Sequence, residues 1–154
     1  MQTDPGLEAY WEASKALDYA YSSMAKACGL SEPEYWSLAM IHRGMTTQRA
    51  ICRELCISPQ TIHSAFKLLV RKGLISLEPL PHDQRSKQAV LTAAGERFVT
   101  EQILPTEKLE EQAWQALSPG EQRDLVRLTR LYSAALRRTL RLRKDNPIRS
   151  SEGL

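Results

Sequence analysis

The sequence predicts a mostly α fold in which a helix-turn-helix carries a two-stranded β-wing and is bracketed by long N- and C-terminal helices. Three observations carry this expectation. Two short helical stretches are joined through Cys56-Ile57-Ser58, with Ser58-Pro59 restarting the helix at once. Two short apolar segments around a polar, basic tip follow directly. Finally, the apolar stripes of residues 7–28 and 119–143 are longer than a small core needs.

The elements follow in order. Leu7, Tyr10, Trp11, Ser14, Leu17, Tyr21 and Met24 recur at i, i+3, i+4, i+7 spacing, which predicts an amphipathic helix with an aromatic apolar side, ended by Gly29. Ser31-Glu32-Pro33-Glu34 opens a second helix with a serine N-cap and an acid at the capping-box position, and Gly44 ends it. Thr46 or Thr47 caps a third, Gln48 to about Leu55. The fourth runs from Pro59 to Lys72, burying Ile62, Ala65, Phe66, Leu69 and Val70, and Gly73 stops it.

Leu74-Ile75-Ser76-Leu77 and Gln88-Ala89-Val90-Leu91 read as short strands, with Pro79 to Lys87 as the loop between them. Thr92 caps the next helix. Residues 93–117 read as one helix interrupted at Pro105, because an internal proline removes a hydrogen bond. Ser118-Pro119-Gly120-Glu121 is a second capping box, opening a helix with Leu125, Leu128, Leu131, Tyr132, Ala135, Leu136 and Leu140 on one side. The organisation expected is an N-terminal dimerisation helix (1-30), a winged helix-turn-helix DNA-binding lobe (31-100), C-terminal dimerisation helices (101-143) and a flexible tail (144-154).

At 154 residues, 42% hydrophobic and 25% charged, the chain has a length that suits one domain with an appended dimerisation element. No apolar run approaches the ~20 residues of a membrane span, and no signal-peptide pattern opens the chain. Cys28, Cys52 and Cys56 are therefore expected as reduced thiols of a cytoplasmic protein. The net charge of +3 is segregated: residues 1–41 hold six acids and two bases, whereas residues 42–100 hold nine bases and four acids. A basic centre is what a chain meeting a polyanion would carry, although a solvated face would read the same way.

Duplex DNA is the polyanion that a helix-turn-helix followed by a basic ribbon is expected to meet. A helix fits its major groove and a thin ribbon with an arginine tip fits its minor groove. The first residues of the second helix of a helix-turn-helix face base edges. Here those positions hold Gln60, Thr61, His63 and Ser64, followed by Lys67, with Ser58 as the cap. Gln60 can pair bidentately with adenine, and His63 and Ser64 can donate or accept at base edges. Thr61 suits a phosphate oxygen or a thymine methyl. Lys67, Arg71 and Lys72 lie where only phosphates are in reach, and Arg49 and Arg53 on the preceding helix face the backbone.

At the wing the pattern becomes more specific. Asp83-Gln84-Arg85-Ser86-Lys87, followed by Leu91-Thr92-Ala93-Ala94-Gly95, resembles the D-x-R-x-K…L-T-x-x-G signature of MarR-type winged-helix transcriptional regulators. The resemblance spans about residues 7–143. It implies a homodimer on a pseudo-palindromic operator, with Arg85 and Lys87 at the minor groove and Asp83 orienting the Arg85 guanidinium. It also implies a repressor released by a small aromatic or phenolic effector, for which Tyr10, Trp11, Tyr21 and Trp36 are the candidate lining. Three departures stand out: Leu77 and Glu78 occupy the first wing strand where many members carry arginines, no arginine lies near Ser64, and Pro105 interrupts a helix often continuous in the family.

Cys52 and Cys56 stand four apart, but His42, His63 and His82 are scattered, so no complete tetrahedral metal set is expected, and no cofactor either. No phosphate loop, H-E-x-x-H or G-x-S-x-G motif points to an enzyme. The alternatives are a winged-helix protein-interaction module and a small-molecule-binding dimer with weak DNA affinity.

Overall fold

The computed structural model describes the backbone of residues 6–145 and the side chains of residues 6–142. Its elements are α1 (Leu7–Ala27), α2 (Glu32–His42), α3 (Gln48–Leu55), α4 (Pro59–Arg71), β1 (Ile75–Leu80), β2 (Asp83–Leu91), α5 (Ala93–Phe98), a π-helical turn (Val99–Ile103), α6 (Leu104–Gln115) and α7 (Pro119–Asp145). The chain divides into a unit up to Lys108 and a second unit from Leu109 onward. The expected flexible tail beyond Asp145 lies outside the described residues.

Local chemistry sets the helix boundaries. The Thr47, Ser58 and Thr92 hydroxyls accept the amides of Ala50, Thr61 and Gly95, so α3, α4 and α5 start where their caps stand. At the far end of α4, Gly73 at φ +71° lets its own amide reach the Val70 carbonyl while Leu74 returns to the carbonyl of Leu69. The same double bond closes α1 at Gly29 and α2 at Gly44. Leu74 is thus the last residue of a helix cap, and β1 begins one residue later than the sequence suggests.

In the first unit a single core gathers Ala25, Leu30, Tyr35, Leu38 and Ile41 from α1, α2 and their junction, with Ile51 of α3 and Ile62, Phe66 and Leu69 of α4. Ile75 and Ala89 bring in the root of the wing, and Val99 and Ile103 bring in the π-helical turn. Val70, expected in this core, is 42% exposed. It falls on the flank of α4, about 80° around the helix from Ile62 and about 100° from Leu69, so its apolar character does not bring it inside.

β1 and β2 form an antiparallel ribbon running from Ile75↔Leu91 to Pro79↔Lys87, then Leu80↔Asp83 across a register shift. The loop expected from Pro79 to Lys87 is therefore mostly ribbon, turned at Pro81-His82. Both strands of a two-stranded sheet are edges, which is where a proline lacking its N–H is tolerated. Ala89 donates its amide to the Thr46 carbonyl at 2.8 Å, pinning the wing root to the segment that leads into α3.

The interruption expected at Pro105 takes the form of a wider helical turn. Leu104 donates to Val99, five residues back. This turn accommodates a proline that cannot donate and whose ring crowds the carbonyl four residues earlier. The Thr106 hydroxyl lies 3.0 Å and 2.7 Å from the carbonyl oxygens of Gln102 and Ile103, and Cys28 Sγ donates to Gln102 at 3.6 Å.

In the second unit, the Ser118 amide donates to Glu121 and the Glu121 amide to the Ser118 hydroxyl, which is the expected capping box. Along α7, Leu125, Leu128, Leu131, Leu136 and Leu140 are all exposed. In the first unit, α1 likewise exposes Leu7, Trp11 and Leu17 and buries only Ala25 fully. No described helix is long and apolar enough to cross a membrane.

Candidate nucleic-acid interface

α4 is two-sided. Ile62, Ala65, Phe66 and Leu69 are buried, and on the opposite side Gln60, Ser64, Lys67 and Arg71 form one exposed line at i, i+4, i+7 and i+11. Thr61 and His63 flank that line. Thr61 is tied into the cap, its hydroxyl 2.8 Å from that of Ser58 and its amide donating to Ser58 Oγ at 3.2 Å. His63 Nδ1 lies 3.4 Å from Gln48 Oε1 at the start of α3, across the helix-turn-helix. Gln60, Thr61 and Ser64 also border a shallow cavity of about 370 Å³ with Ser31 and Pro33. The structure thus gathers Ser58, Gln60, Thr61, His63, Ser64 and Lys67 on one exposed surface of α4, with Arg49 and Arg53 exposed on α3.

The turn between the two helices rests on Cys56, the one non-glycine residue with positive φ (+53°) among those described. The exposed Cys56 thiol donates to the carbonyl of Arg53 at 3.7 Å.

Lys72 does not belong to this surface's free charge. Its ammonium meets Glu34 Oε1 at 2.6 Å and the Gly29 carbonyl at 3.5 Å, so the phosphate contact expected of it gives way to an ion pair with the start of α2. Burial pushes the Glu34 carboxyl up. The bonds from Lys72 and Ser31, with the Lys72 charge, outweigh that and hold it below the usual carboxylate value. Glu34 is the capping-box acid the sequence predicts, since both the amide and the hydroxyl of Ser31 donate to its Oε2. Its second bond, to a residue 38 positions away, has no local signal in the sequence.

At the wing, Arg85 and Lys87 are exposed on β2. The Asp83 carboxylate accepts the backbone amide of Arg85 at 3.0 Å and the Ser86 hydroxyl at 2.6 Å. These bonds lower its pKa, the Ser86 contribution being the larger. The expectation that Asp83 holds the Arg85 guanidinium is corrected: it holds the backbone beneath that side chain. An aspartate accepting the amide two residues on is a standard way to shape a turn.

The aromatic candidates separate into two groups. Tyr21 and Trp36 pack edge to face with ring centroids 5.9 Å apart, and Trp36 meets Tyr35 at 4.9 Å. Tyr10 and Trp11 lie ten or eleven residues earlier on α1, about 15 Å along the helix axis, and are exposed. Burial pushes the Cys28 thiol up, against a hydrogen bond with Thr106 that lowers it, so the group stays protonated at neutral pH. Among the described residues, no three His, Cys, Asp or Glu side chains converge in a way that could hold a metal ion.

Comparison with known proteins places this arrangement. Residues 29–86 match the family model for the MarR family. A MarR family regulator from Neisseria meningitidis superposes with a TM-score of 0.72 at 15% identity, covering 87% of this chain and 95% of the other. MepR of S. aureus, in a complex with DNA, superposes at 0.70 with 18% identity, covering 87% and 99%. BpsR of Bordetella bronchiseptica, whose DNA binding is regulated by 6-hydroxynicotinic acid, gives 0.67 at 18% identity, covering 86% and 96%. Among curated proteins, none matches the chain by sequence. Over residues 29–86 the chain is therefore similar to the MarR family model, and its fold is the winged-helix fold of the MarR family regulators it superposes on.

Proposed function

We propose that this chain is a homodimeric, sequence-specific regulator of transcription that binds double-stranded DNA, with α4 in the major groove and the wing in the adjacent minor groove. The observation that carries the reading is the outward line of α4. Gln60 and Ser64 stand at its N-terminal end, where bases are read, and Lys67 and Arg71 further along, where phosphates run. Arg85, held on a tip shaped by Asp83, supplies the minor-groove contact, and Arg49 and Lys87 add positive charge on either side. MepR in its DNA complex, a protein of the same fold, supports the same use of the surface here.

The exposed leucines of α7 and the exposed apolar side chains of α1 are the surface on which a second copy packs. Two copies present two reading heads, so the operator is pseudo-palindromic with half-sites about one helical turn apart. The reading is of a binding protein rather than an enzyme, acting in the cytoplasm where its DNA lies. Its action is repression, relieved by a flat aromatic effector seated near Tyr21 and Trp36. BpsR, regulated by such an acid, supports that part. An effector that fits one spacing of the two heads better than the other shifts the dimer by differential affinity.

Selection from a pool of random duplexes tests the reading. Enrichment of an inverted repeat, altered at defined positions by Gln60→Ala, is the expected result. A pool that stays random after several rounds overturns it.

A further inference from the structure

The second unit holds a cleft of about 590 Å³ where α6 ends and α7 begins, a size common among small-molecule sites. Its apolar side is Trp114, Pro119 and Val126, and its charged side is Arg123, Arg127 and Arg130. The shape is fixed locally: the Gln122 amide donates to the carbonyls of Trp114 at 2.9 Å and Leu117 at 3.2 Å, tying the two helices across their turn. Arg127 is paired with Asp124 at 3.1 Å, while Arg123 and Arg130 have no ion-pair partner among the described residues.

We propose that this cleft binds a small phosphate monoester carrying a flat ring, of the nucleoside monophosphate type. Three guanidiniums against one carboxylate leave an excess close to the charge of a phosphate monoester at neutral pH, about −1.5 to −2. All three cations are arginines, whose planar fork matches phosphate oxygens two at a time. The indole of Trp114, partly exposed at the cleft, offers a face for the ring, and Pro119 and Val126 line the floor beside it. The cleft lining itself contains three arginines and no carboxylate, and of the three only Arg127 is drawn into an ion pair along its own helix, with Asp124.

The proposal does not rest on the DNA-binding reading, because none of its residues belongs to α4 or the wing. Calorimetric titration of the full chain with adenosine monophosphate, inorganic phosphate and benzoate tests it. The monophosphate is expected to saturate at one per chain and to bind more tightly than phosphate or benzoate. Arg123→Gln with Arg130→Gln weakens it by about tenfold or more. Arg123→Lys with Arg130→Lys, which keeps the charge, weakens it less, and Trp114→Ala brings it to the level of inorganic phosphate. Arg85→Ala binds the nucleotide as the unsubstituted chain does. The proposal is overturned if the monophosphate does not saturate, if the double glutamine variant binds it unchanged, or if Arg85→Ala abolishes binding, which would put the nucleotide on the DNA-facing surface.

Discussion

The Asp83 carboxylate accepts the backbone amide of Arg85 at 3.0 Å and, with the Ser86 hydroxyl at 2.6 Å, shapes the tip of the wing. Arg85→Ala removes a cation and leaves this turn intact, whereas Asp83→Ala leaves the cation and removes the turn. Each substitution is expected to weaken duplex binding. The log–log salt slope should fall by about one only for Arg85→Ala, because only there is a cation lost. Titrations at four salt concentrations distinguish the two, and equal slopes for the natural chain and Arg85→Ala would remove Arg85 from the interface.

Glu34 gives the fold a pH dependence whose sign can be worked out. Its pKa in the fold is below the usual carboxylate value, so its contribution is fully present above the unfolded value of about 4.3 and is lost as pH falls through the folded one. Urea midpoints measured from pH 7 down to pH 3 should fall less steeply for Glu34→Gln than for the natural chain. At pH 7 the same variant should lose roughly 1.5–3 kcal/mol, the range for a hydrogen bond to a charged group. Parallel acid limbs would show that the Glu34–Lys72 pair stabilises nothing.

Gly95 stands on α5 with the Leu74 carbonyl oxygen where its Cβ would be, and Leu74 is held there by accepting the Thr92 amide at 3.1 Å. Glycine to alanine inside a helix ordinarily stabilises by about 1 kcal/mol. Gly95→Ala is expected to do the reverse, by roughly 1–3 kcal/mol, because the obstacle is backbone that cannot turn aside. Thermal unfolding of the variant decides the sign.

Cys56 pays the cost of a left-handed conformation, about 1–2 kcal/mol for a residue with a Cβ. Cys56→Gly removes that strain and adds the chain entropy of glycine, for a net gain of about 0.5 kcal/mol. A urea midpoint shifted upward with an unchanged slope is the expected reading, and a downward shift contradicts it.

The exposed leucines of α7 yield a prediction on assembly. Leu128→Glu with Leu131→Glu should convert a dimer to a monomer in light scattering and lower operator affinity with it, while the circular dichroism of the helices persists. A dimer that survives both charges would move the interface elsewhere.

Much of this was legible in the sequence because the signals are local. Ser31 with Glu34, Thr47, Ser58, Thr92 and Ser118 with Glu121 each fix a helix start within four residues, and Gly29, Gly44 and Gly73 fix the ends. What was not legible depended on residues distant in the chain or on competition between neighbours. Lys72 reads as one more cation on the end of α4 until the fold brings Glu34 to it. Val70 satisfies an apolar pattern yet falls on the flank of its helix. The charges and prolines between Pro79 and Lys87 look like a loop, although ladder pairing extends to Pro79 and Lys87. Asp83 stands out in the sequence beside Arg85, but its partner is backbone, and residue type alone does not choose between backbone and guanidinium.

If the α4 line and the wing meet duplex DNA as a pair of heads, fluorescence anisotropy will show it against the duplex upstream of the chain's own gene, run beside a scrambled duplex at two salt concentrations. Preference for the upstream duplex, two chains per site, and affinity that drops steeply with added salt are the expected results. Equal, salt-insensitive binding to both duplexes would rule this use of the surface out.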